Sequence, residues 1–365
     1  VLSPKEYGLL ALFGSITSLI VLLFNYASFD SLKVLLVNNE DKEKEKEYFG
    51  LGIIIAIILG VLFSISLFGI SFFVDDFLQV EIGRIIRLLA PFCLILPFQY
   101  FISEIAVGSA KLKSLAAFHL FSRILFVFSL FAIWQLGIAD VYNIIILNLI
   151  SWFIAVIIIL ISFKPIFSNI KENYIIIKEK DRSFGLHCYF GAIVNQSTYK
   201  LDELFITYFV SITQLGFYTL ASIICSPMTF LSRSFTNSIL KKLALKDKIP
   251  IRVFIYNTLW LSLCVFCLYI FKDLIVRTLF GKEYVIVSEY IFPLSIAFFL
   301  QGMYAPFSFL TIKSKGKELR NVAYIEAMVS VIGNILLVPT LGVMGAIIAS
   351  ILARITHLIG LLFYY

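Results

Sequence analysis

Residues 49–73 read FGLGIIIAIILGVLFSISLFGISFF, a run of 25 residues without a charged side chain. As an α-helix rising about 1.5 Å per residue, this run is longer than the hydrocarbon core of a bilayer, which is about 30 Å thick. A helix that is apolar on every face has to be buried in a large core or in a membrane. The run therefore predicts a helix that crosses a membrane.

Similar apolar runs recur along the whole chain, and they predict the fold class. Hydrophobic residues make up 60% of the sequence and charged residues 15%, whereas soluble domains are about 25% charged. We count eleven spans, at residues 7–27, 49–73, 86–107, 115–134, 141–163, 185–210, 215–235, 253–271, 290–311, 321–338 and 343–363. The sequence predicts an all-α integral membrane protein.

Basic residues are distributed unevenly between alternate loops, which predicts the orientation of the chain. Five of the thirty Lys and Arg residues lie in one set of alternate loops, counting the N-terminal segment. Twenty lie in the second set, at residues 28–47, 108–114, 164–183, 238–252 and 312–320. Because basic loops are retained in the cytoplasm, this second set is predicted to be cytoplasmic, and so is the C-terminus. We expect these cations to orient the chain, and we expect no nucleic acid as a partner.

Three pairs of short runs indicate an internal duplication. The pairs are EYGLLAL and LGFYTLA, AKLKSLAAFHLFSRILF and SKGKELRNVAYIEAMVS, and LGIADVYNII and LGVMGAIIAS, each separated by 204 to 208 residues. A constant offset predicts two parallel six-helix bundles, at 1–165 and 185–365, joined by a cytoplasmic linker at 166–184. Since the first bundle then has only five visible spans, we expect one more helix before Val1, which makes twelve in the full chain.

Four motifs resemble a known family: LSPKEYG at residues 2–8, YKLDEL at 199–204, LGFYTLA at 215–221 and LGVMGAIIAS at 341–350. The chain resembles the O-antigen and polysaccharide flippases (Wzx type) of the multidrug/oligosaccharidyl-lipid/polysaccharide exporter superfamily. The resemblance implies two bundles around a central cavity in the bacterial inner membrane. It also implies a cargo, an undecaprenyl-diphosphate-linked oligosaccharide such as an O-antigen or capsule repeat unit. Membrane lipid and other polysaccharide-assembly proteins are the further partners it implies.

Ionisable side chains inside the spans are candidates for function, because each costs at least about 2.5 to 3.5 kcal/mol at the centre of a helix. Lys200, Asp202 and Glu203 lie near the middle of the span 185–210. Lys200 and Glu203 share a face at i and i+3 and can pair. The resemblance matches Asp202 with an acidic residue of the family motif, which implies coupling or substrate contact. The alternative is an ion pair that only holds helices together.

Further charges lie in other spans. Arg354, near the middle of the last span, is a cavity contact or a partner for Asp202 or Glu203. Four others lie near predicted cytoplasmic ends, where they either snorkel to headgroups or form a vestibule whose arginines receive the diphosphate: Glu104, Arg123, Arg233 and Glu326. His119 and His357 can titrate near neutral pH, but a single His on an apolar helix is more often a core residue.

Two other functions compete with the flippase. A multidrug or cation exporter of the same superfamily would favour an acidic cavity, whereas Arg and Lys are as frequent in these spans as Asp and Glu. A membrane polysaccharide polymerase needs a large extracytoplasmic loop, and the longest predicted one is 272–289. We predict no enzyme activity, no metal and no cofactor. The intramembrane carboxylates and the lack of a nucleotide-binding motif favour a proton or sodium gradient as the energy source.

Overall fold

The architecture is known from a computed structural model, which describes residues 2–24, 27–37, 39–182, 186–244, 246, 248–312 and 316–365. Within these ranges the chain forms helices and no strand, which confirms the predicted all-α class. The α-helices are α1 Pro4–Phe24, α2 Ser28–Val37, α3 Lys42–Ile70, α4 Val74–Leu78, α5 Gly83–Leu89, α6 Leu96–Gly108, α7 Leu112–Gln135, α8 Val141–Phe163, α9 Ile170–Lys180, α10 Leu186–Phe209, α11 Ile212–Cys225, α12 Pro227–Ala244, α13 Ile251–Leu279, α14 Val287–Gly302, α15 Ser308–Ile312, α16 Gly316–Leu341 and α17 Val343–Tyr364.

Ten segments of the described chain are long and apolar enough to cross a membrane. They correspond to ten of the eleven predicted spans. The exception is 185–210, which forms the 24-residue helix α10. This helix is long enough to cross, but Lys200, Asp202 and Glu203 interrupt its apolar sequence, and it is not among the ten. The predicted count of eleven is therefore one higher than the number of strongly apolar helices in the described residues.

The predicted cytoplasmic loops contain helices that hydropathy does not detect. The loop 28–47 contains α2 and the first turns of α3, which starts at Lys42 instead of residue 49 because the Asp41 side chain accepts a hydrogen bond from the Glu43 amide. The linker 166–184 contains α9. These helices were missed because charged residues form helices as readily as apolar ones outside the bilayer.

Prolines interrupt two of the membrane-length segments. In the first, a 3₁₀ segment at Ala90–Ile95 contains Pro91, and α6 follows with Pro97 in its first turn. In the second, α14 continues through Pro293, and the break comes later, at the 3₁₀ segment Ala305–Phe307. Pro removes a backbone donor and favours such breaks. Both segments therefore contain a break, although Pro293 lies within a continuous helix.

The chain forms two compact units. The first contains residues 1–2 and 13–196, and the second contains residues 3–12 and 197–365. The same order of elements occurs in both: a long helix (α3 or α13), a helix broken by a 3₁₀ segment, and two further long helices (α7 and α8, or α16 and α17). The bundle boundaries at 165 and 185 stay a prediction.

Within the second unit, two glycines that the repeat comparison had paired lie against each other. A Cβ atom added to Gly8 of α1 would lie 2.0 Å from the carbonyl oxygen of Ile212, and one added to Gly216 of α11 would lie 3.2 Å from the Gly8 Cα. Small residues of this kind let helix backbones approach closely in membranes. The matched glycines are therefore a packing contact between the start of α1 and α11.

Within the first unit, polar side chains attach α9 to α3. Glu47 of α3 accepts hydrogen bonds from Ser168 (2.9 Å), Asn169 (2.8 Å) and Asn173 (3.0 Å). The hydroxyl of Ser28 also donates to Asp181, just after α9, over 2.7 Å. These bonds give a short and charged helix a defined place beside the membrane-length helices.

Candidate functional site

The candidate site in the second unit begins with the charged turn of α10. The Lys200 Nζ lies 2.9 Å from Glu203 Oε1, which confirms the predicted pair at i and i+3. Glu203 and Asp202 are both buried, with 7% and 4% of their surfaces exposed. Because Asp202 lies on another face of the helix, it has partners of its own.

Hydrogen-bond donors from three other helices surround the Asp202 carboxylate. Asn334 of α16 donates to Oδ1 over 2.7 Å, and Ser330 of the same helix lies 3.5 Å from this atom. On Oδ2, Tyr218 of α11 donates over 3.3 Å, and Ser350 of α17 donates as well. An unsatisfied polar group costs several kcal/mol in an apolar environment, so these donors reduce the cost of burying Asp202. They also connect α10 to three helices at one point.

Arg354 lies one turn after Ser350 on α17 and is 7% exposed. Its guanidinium carbon is 4.8 Å from the ring centroid of Phe298, and its charge is close enough to Asp202 to interact with the carboxylate. This interaction favours the predicted alternative of a partner for an α10 carboxylate over a cavity contact. The two buried charges thus compensate each other in part.

A second polar cluster lies on neighbouring turns of α16 and α17, before Ser330 on α16 and after Arg354 on α17. The His357 Nδ1 is 2.6 Å from Glu326 Oε2, and Glu326 is 2% exposed. The Tyr304 ring stacks on the His357 imidazole with a centroid distance of 4.3 Å, and the Tyr304 hydroxyl donates to the Arg354 carbonyl over 2.8 Å. Tyr304 therefore contacts both the His357 cluster and the backbone of Arg354.

Sequence reasoning did not find the His357–Glu326 pair. The sequence left His357 as a titrating group or a core residue and Glu326 as an interfacial or vestibule residue, and it did not pair the two. The two are 31 positions apart on antiparallel helices, and no local spacing rule connects them. The polar residues that surround Asp202 were missed for the same reason.

A pocket of about 250 Å³ opens beside this second cluster. Its walls come from α12, the broken segment after α14, α16 and α17. Arg233 of α12 is exposed at this pocket, and no carboxylate among the described residues lies within ion-pair distance of it. Among the described residues, the pocket is lined by Arg233, Tyr304, Ala305, Phe307, Ser308, Leu319, His357 and Leu361.

The two remaining candidates belong to the first unit. Glu104 of α6 forms an ion pair with Lys33 of α2, and Lys33 also lies 3.6 Å from Asp30. Burial acts to lower the pKa of Lys33, but the hydrogen bond and charge of Glu104 outweigh burial, so the pKa is raised. Arg123 of α7 is exposed, with its guanidinium carbon 5.4 Å from the ring centroid of Trp152.

The second unit therefore brings six of the eight predicted residues into two polar clusters. Lys200, Asp202, Glu203 and Arg354 form the first, while Glu326 and Arg233 belong to the second or to the pocket beside it. Within the described residues, no group of three or more His, Cys, Asp and Glu side chains is placed to hold a metal ion. Their roles in function stay predictions.

Residues 1–285 match the model of a family described as "Polysaccharide biosynthesis protein". Comparison with curated proteins gives no match.

Solved structures share the fold along nearly the whole chain. The lipid II flippase MurJ, in an inward closed conformation, is 15% identical with a TM-score of 0.72, over 100% of this chain and 81% of the flippase. An inward-facing multidrug resistance MATE family transporter of the MOP superfamily is 14% identical with a TM-score of 0.74, over 99% of this chain and 90% of the transporter. These likenesses establish the fold as the one that such membrane transporters have.

Proposed function

Since the chain belongs to the polysaccharide biosynthesis protein family, we propose that it is a flippase of the multidrug/oligosaccharidyl-lipid/polysaccharide exporter superfamily. Its cargo in this proposal is an undecaprenyl-diphosphate-linked oligosaccharide, moved from the cytoplasmic to the periplasmic leaflet of the inner membrane. The observation that carries the proposal is the combination of this family with the fold of a lipid II flippase over the whole chain.

The physical reason for such a protein is the cost of moving polar groups through hydrocarbon. A diphosphate and a sugar chain carry many donors and acceptors, and each one left unsatisfied costs several kcal/mol. A protein that offers polar groups across the membrane removes most of this cost. The buried charges of α10, α16 and α17 are the groups of this kind in the second unit.

Each candidate residue has a role in the proposal. Asp202 and Glu203 are the carboxylates that couple transport to a proton or sodium gradient, by alternating access. Arg354 supplies a positive charge that interacts with the Asp202 carboxylate. The residues proposed to contact the cargo or to shape the cytoplasmic entrance are Glu104, Arg123, Lys200, Arg233 and Glu326. The C-terminus is cytoplasmic, and transport requires no catalytic residue.

A second candidate function is favoured by one observation. A multidrug MATE transporter shares the fold with a TM-score of 0.74. In that case the cargo is a small cationic compound, and the buried acidic residues bind it or its coupling ion. We favour the flippase because the family match is to polysaccharide biosynthesis.

Deletion of the full-length gene in its own host distinguishes the two functions. The flippase proposal predicts loss of surface glycan, with complete lipid-linked repeat units accumulating on the cytoplasmic leaflet. Unchanged surface glycan together with higher drug sensitivity would favour the exporter. Single repeat units that reach the outer leaflet without polymerisation would point to a polymerase.

A further inference from the structure

We propose that helix α9 binds the headgroups of anionic phospholipids in the cytoplasmic leaflet, through a basic stripe on its exposed face. The basic stripe is the row Lys171, Ile175, Lys178 and Arg182, spaced as i, i+4, i+7 and i+11. The inference does not rest on the proposed cargo, because the stripe and the partners of α9 belong to the first unit and lipid binding there requires no transport.

Both ends of α9 are fixed at the depth of a membrane surface. Near its start, the Asn173 amide donates to Glu47, which lies two residues before the apolar run 49–73. Directly after its end, Asp181 accepts a hydrogen bond of 2.7 Å from Ser28, the residue that follows the first predicted span. A helix attached at both ends in this way lies along the boundary between hydrocarbon and water and does not project into the cytoplasm.

The two faces of α9 suit this position. Asn173, Ile177 and Asp181 are buried against the unit, while Tyr174 and Ile175 remain 48% and 59% exposed. Tyrosine is enriched where a membrane meets water, because its ring is apolar and its hydroxyl is polar. Exposed apolar side chains beside cations are typical of helices that lie in a membrane interface.

Cations occupy the middle of the exposed face, and carboxylates occupy its edge. At about 100° per residue, Lys171, Lys178 and Arg182 lie within about 40° of one another around the helix. Glu172 and Glu179 lie about 80° to 100° from the centre of this group. All three cations are exposed, and within the described residues no carboxylate lies at ion-pair distance from any of them. Their charge is therefore available to an external anion.

A concavity of about 720 Å³ adjoins the basic stripe. Its volume lies within the roughly 300–1,000 Å³ of pockets that hold small molecules. Lys178 and Arg182 supply two positive charges and Glu179 one negative charge, so the net charge of this lining is +1. The described residues that line it are Tyr174, Ile175, Lys178, Glu179 and Arg182.

This combination of side chains matches an anionic phospholipid. Its phosphodiester carries one negative charge, and a guanidinium group such as that of Arg182 donates two parallel hydrogen bonds to phosphate oxygens. The start of the acyl chains covers Tyr174 and Ile175, which a dissolved anion would leave in water. An anionic membrane surface attracts each nearby Lys or Arg by about 1 kcal/mol, which corresponds to about fivefold in binding.

The test is hydrogen–deuterium exchange of the full chain in lipid nanodiscs, followed by mass spectrometry of the segment 164–183. One nanodisc contains phosphatidylcholine alone, and the other contains about one third phosphatidylglycerol. The proposal predicts that phosphatidylglycerol slows exchange of the α9 amides by about fivefold to a hundredfold, as for one to three cations at an anionic surface. Salt at about 1 M, where the Debye length is about 3 Å, should remove most of this protection.

Two triple variants separate the basic stripe from the general charge of the protein. The stripe variant combines Lys171→Gln, Lys178→Gln and Arg182→Gln, and it should exchange equally fast in both lipids. The matched control loses the same charge from exposed lysines of three other predicted cytoplasmic segments, and it should respond to phosphatidylglycerol like the wild type. Its substitutions are Lys42→Gln, Lys113→Gln and Lys317→Gln.

Three results would overturn the proposal: equal exchange of the wild type in both lipids, an equal response of the stripe variant and the wild type, or an equal loss of response in both triple variants. If the stripe variant fails to fold, Lys178→Gln alone should reduce the response by about fivefold. Equal protection by dissolved polyphosphate in phosphatidylcholine nanodiscs would show that the partner is a soluble anion, and it would also overturn the proposal. None of these readouts depends on transport.

Discussion

Asn334 of α16 donates a hydrogen bond of 2.7 Å to Asp202 of α10, and the two residues are 0% and 4% exposed. The bond joins two helices at a point that water does not reach. Together with Tyr218, Ser330 and Ser350, it makes Asp202 the acceptor on which four side chains depend. This dependence gives a direct prediction.

Asp202→Ala is expected to abolish transport and to lower the unfolding free energy by about 3–5 kcal/mol, as when one partner of a buried charged pair is removed. The donors and Arg354 would lose their acceptor, although the protein should still insert. Asp202→Asn keeps one acceptor oxygen and should lose transport with a smaller loss of stability. Thermal unfolding in detergent and complementation of the gene deletion measure the two effects.

Asp273→Asn is the matched control for this prediction. Asp273 is a carboxylate of the same unit, on α13, with 55% of its side chain exposed. Its loss should change neither property. If the Asp202→Ala variant transports normally at normal abundance, Asp202 is not part of the transport site.

Arg354 and Asp202 are expected to be energetically coupled. Arg354→Gln alone leaves Asp202 without its nearby cation, and Asp202→Asn alone leaves Arg354 without its anion. The double variant leaves neither charge, so it should be more stable than the sum of the single effects predicts, by about 0.5–3 kcal/mol. A double-mutant cycle of unfolding free energies measures this coupling, and strict additivity would show that the two side chains do not interact.

Gly8→Ala should destabilise the second unit, because the new Cβ would lie 2.0 Å from the Ile212 carbonyl oxygen and would force α1 away from α11. Overpacking of this kind costs about 1–3 kcal/mol. Gly14→Ala is the control on the same helix, since no atom lies within 4 Å of its added Cβ. It should be neutral or more stable by up to about 1 kcal/mol. Equal melting temperatures for the two variants would contradict the close contact.

Glu47→Ala should loosen α9, because Ser168, Asn169 and Asn173 would lose their common acceptor. We expect faster cleavage of the segment 164–183 by a protease added to detergent-solubilised protein. Glu43→Ala, at an exposed position of the same helix, should be cleaved at the wild-type rate. If the two variants are cleaved equally fast, Glu47 does not hold α9.

Relationships that depend on local spacing could be predicted from the sequence. Long apolar runs predicted eleven spans, ten of which are membrane-length apolar segments in the described residues, and the spacing of Lys200 and Glu203 predicted their ion pair. In both cases, the physical cause lies within one helix. Repeat comparison matched Gly8 with Gly216 as equivalent positions, but it did not predict the contact between them.

Relationships between distant positions could not be predicted. Ser350 is 148 positions from Asp202, and Glu326 is 31 positions from His357. Ser, Asn and His on apolar helices have the same sequence pattern whether they face a buried carboxylate or another helix. Only the packing of α10, α11, α16 and α17 determines which of them become partners. Helix α9 was missed because its charged residues interrupt the hydropathy signal.

The most direct test of the proposed function is transport by the purified full-length protein in lipid vesicles. A lipid-linked oligosaccharide is placed in both leaflets, and the fraction that an added glycosidase can reach is followed over time. With a proton or sodium gradient, the account predicts that wild-type vesicles expose the inner pool much faster than vesicles with Asp202→Asn or without protein. Equal rates in all three would contradict the proposal that this chain is a flippase.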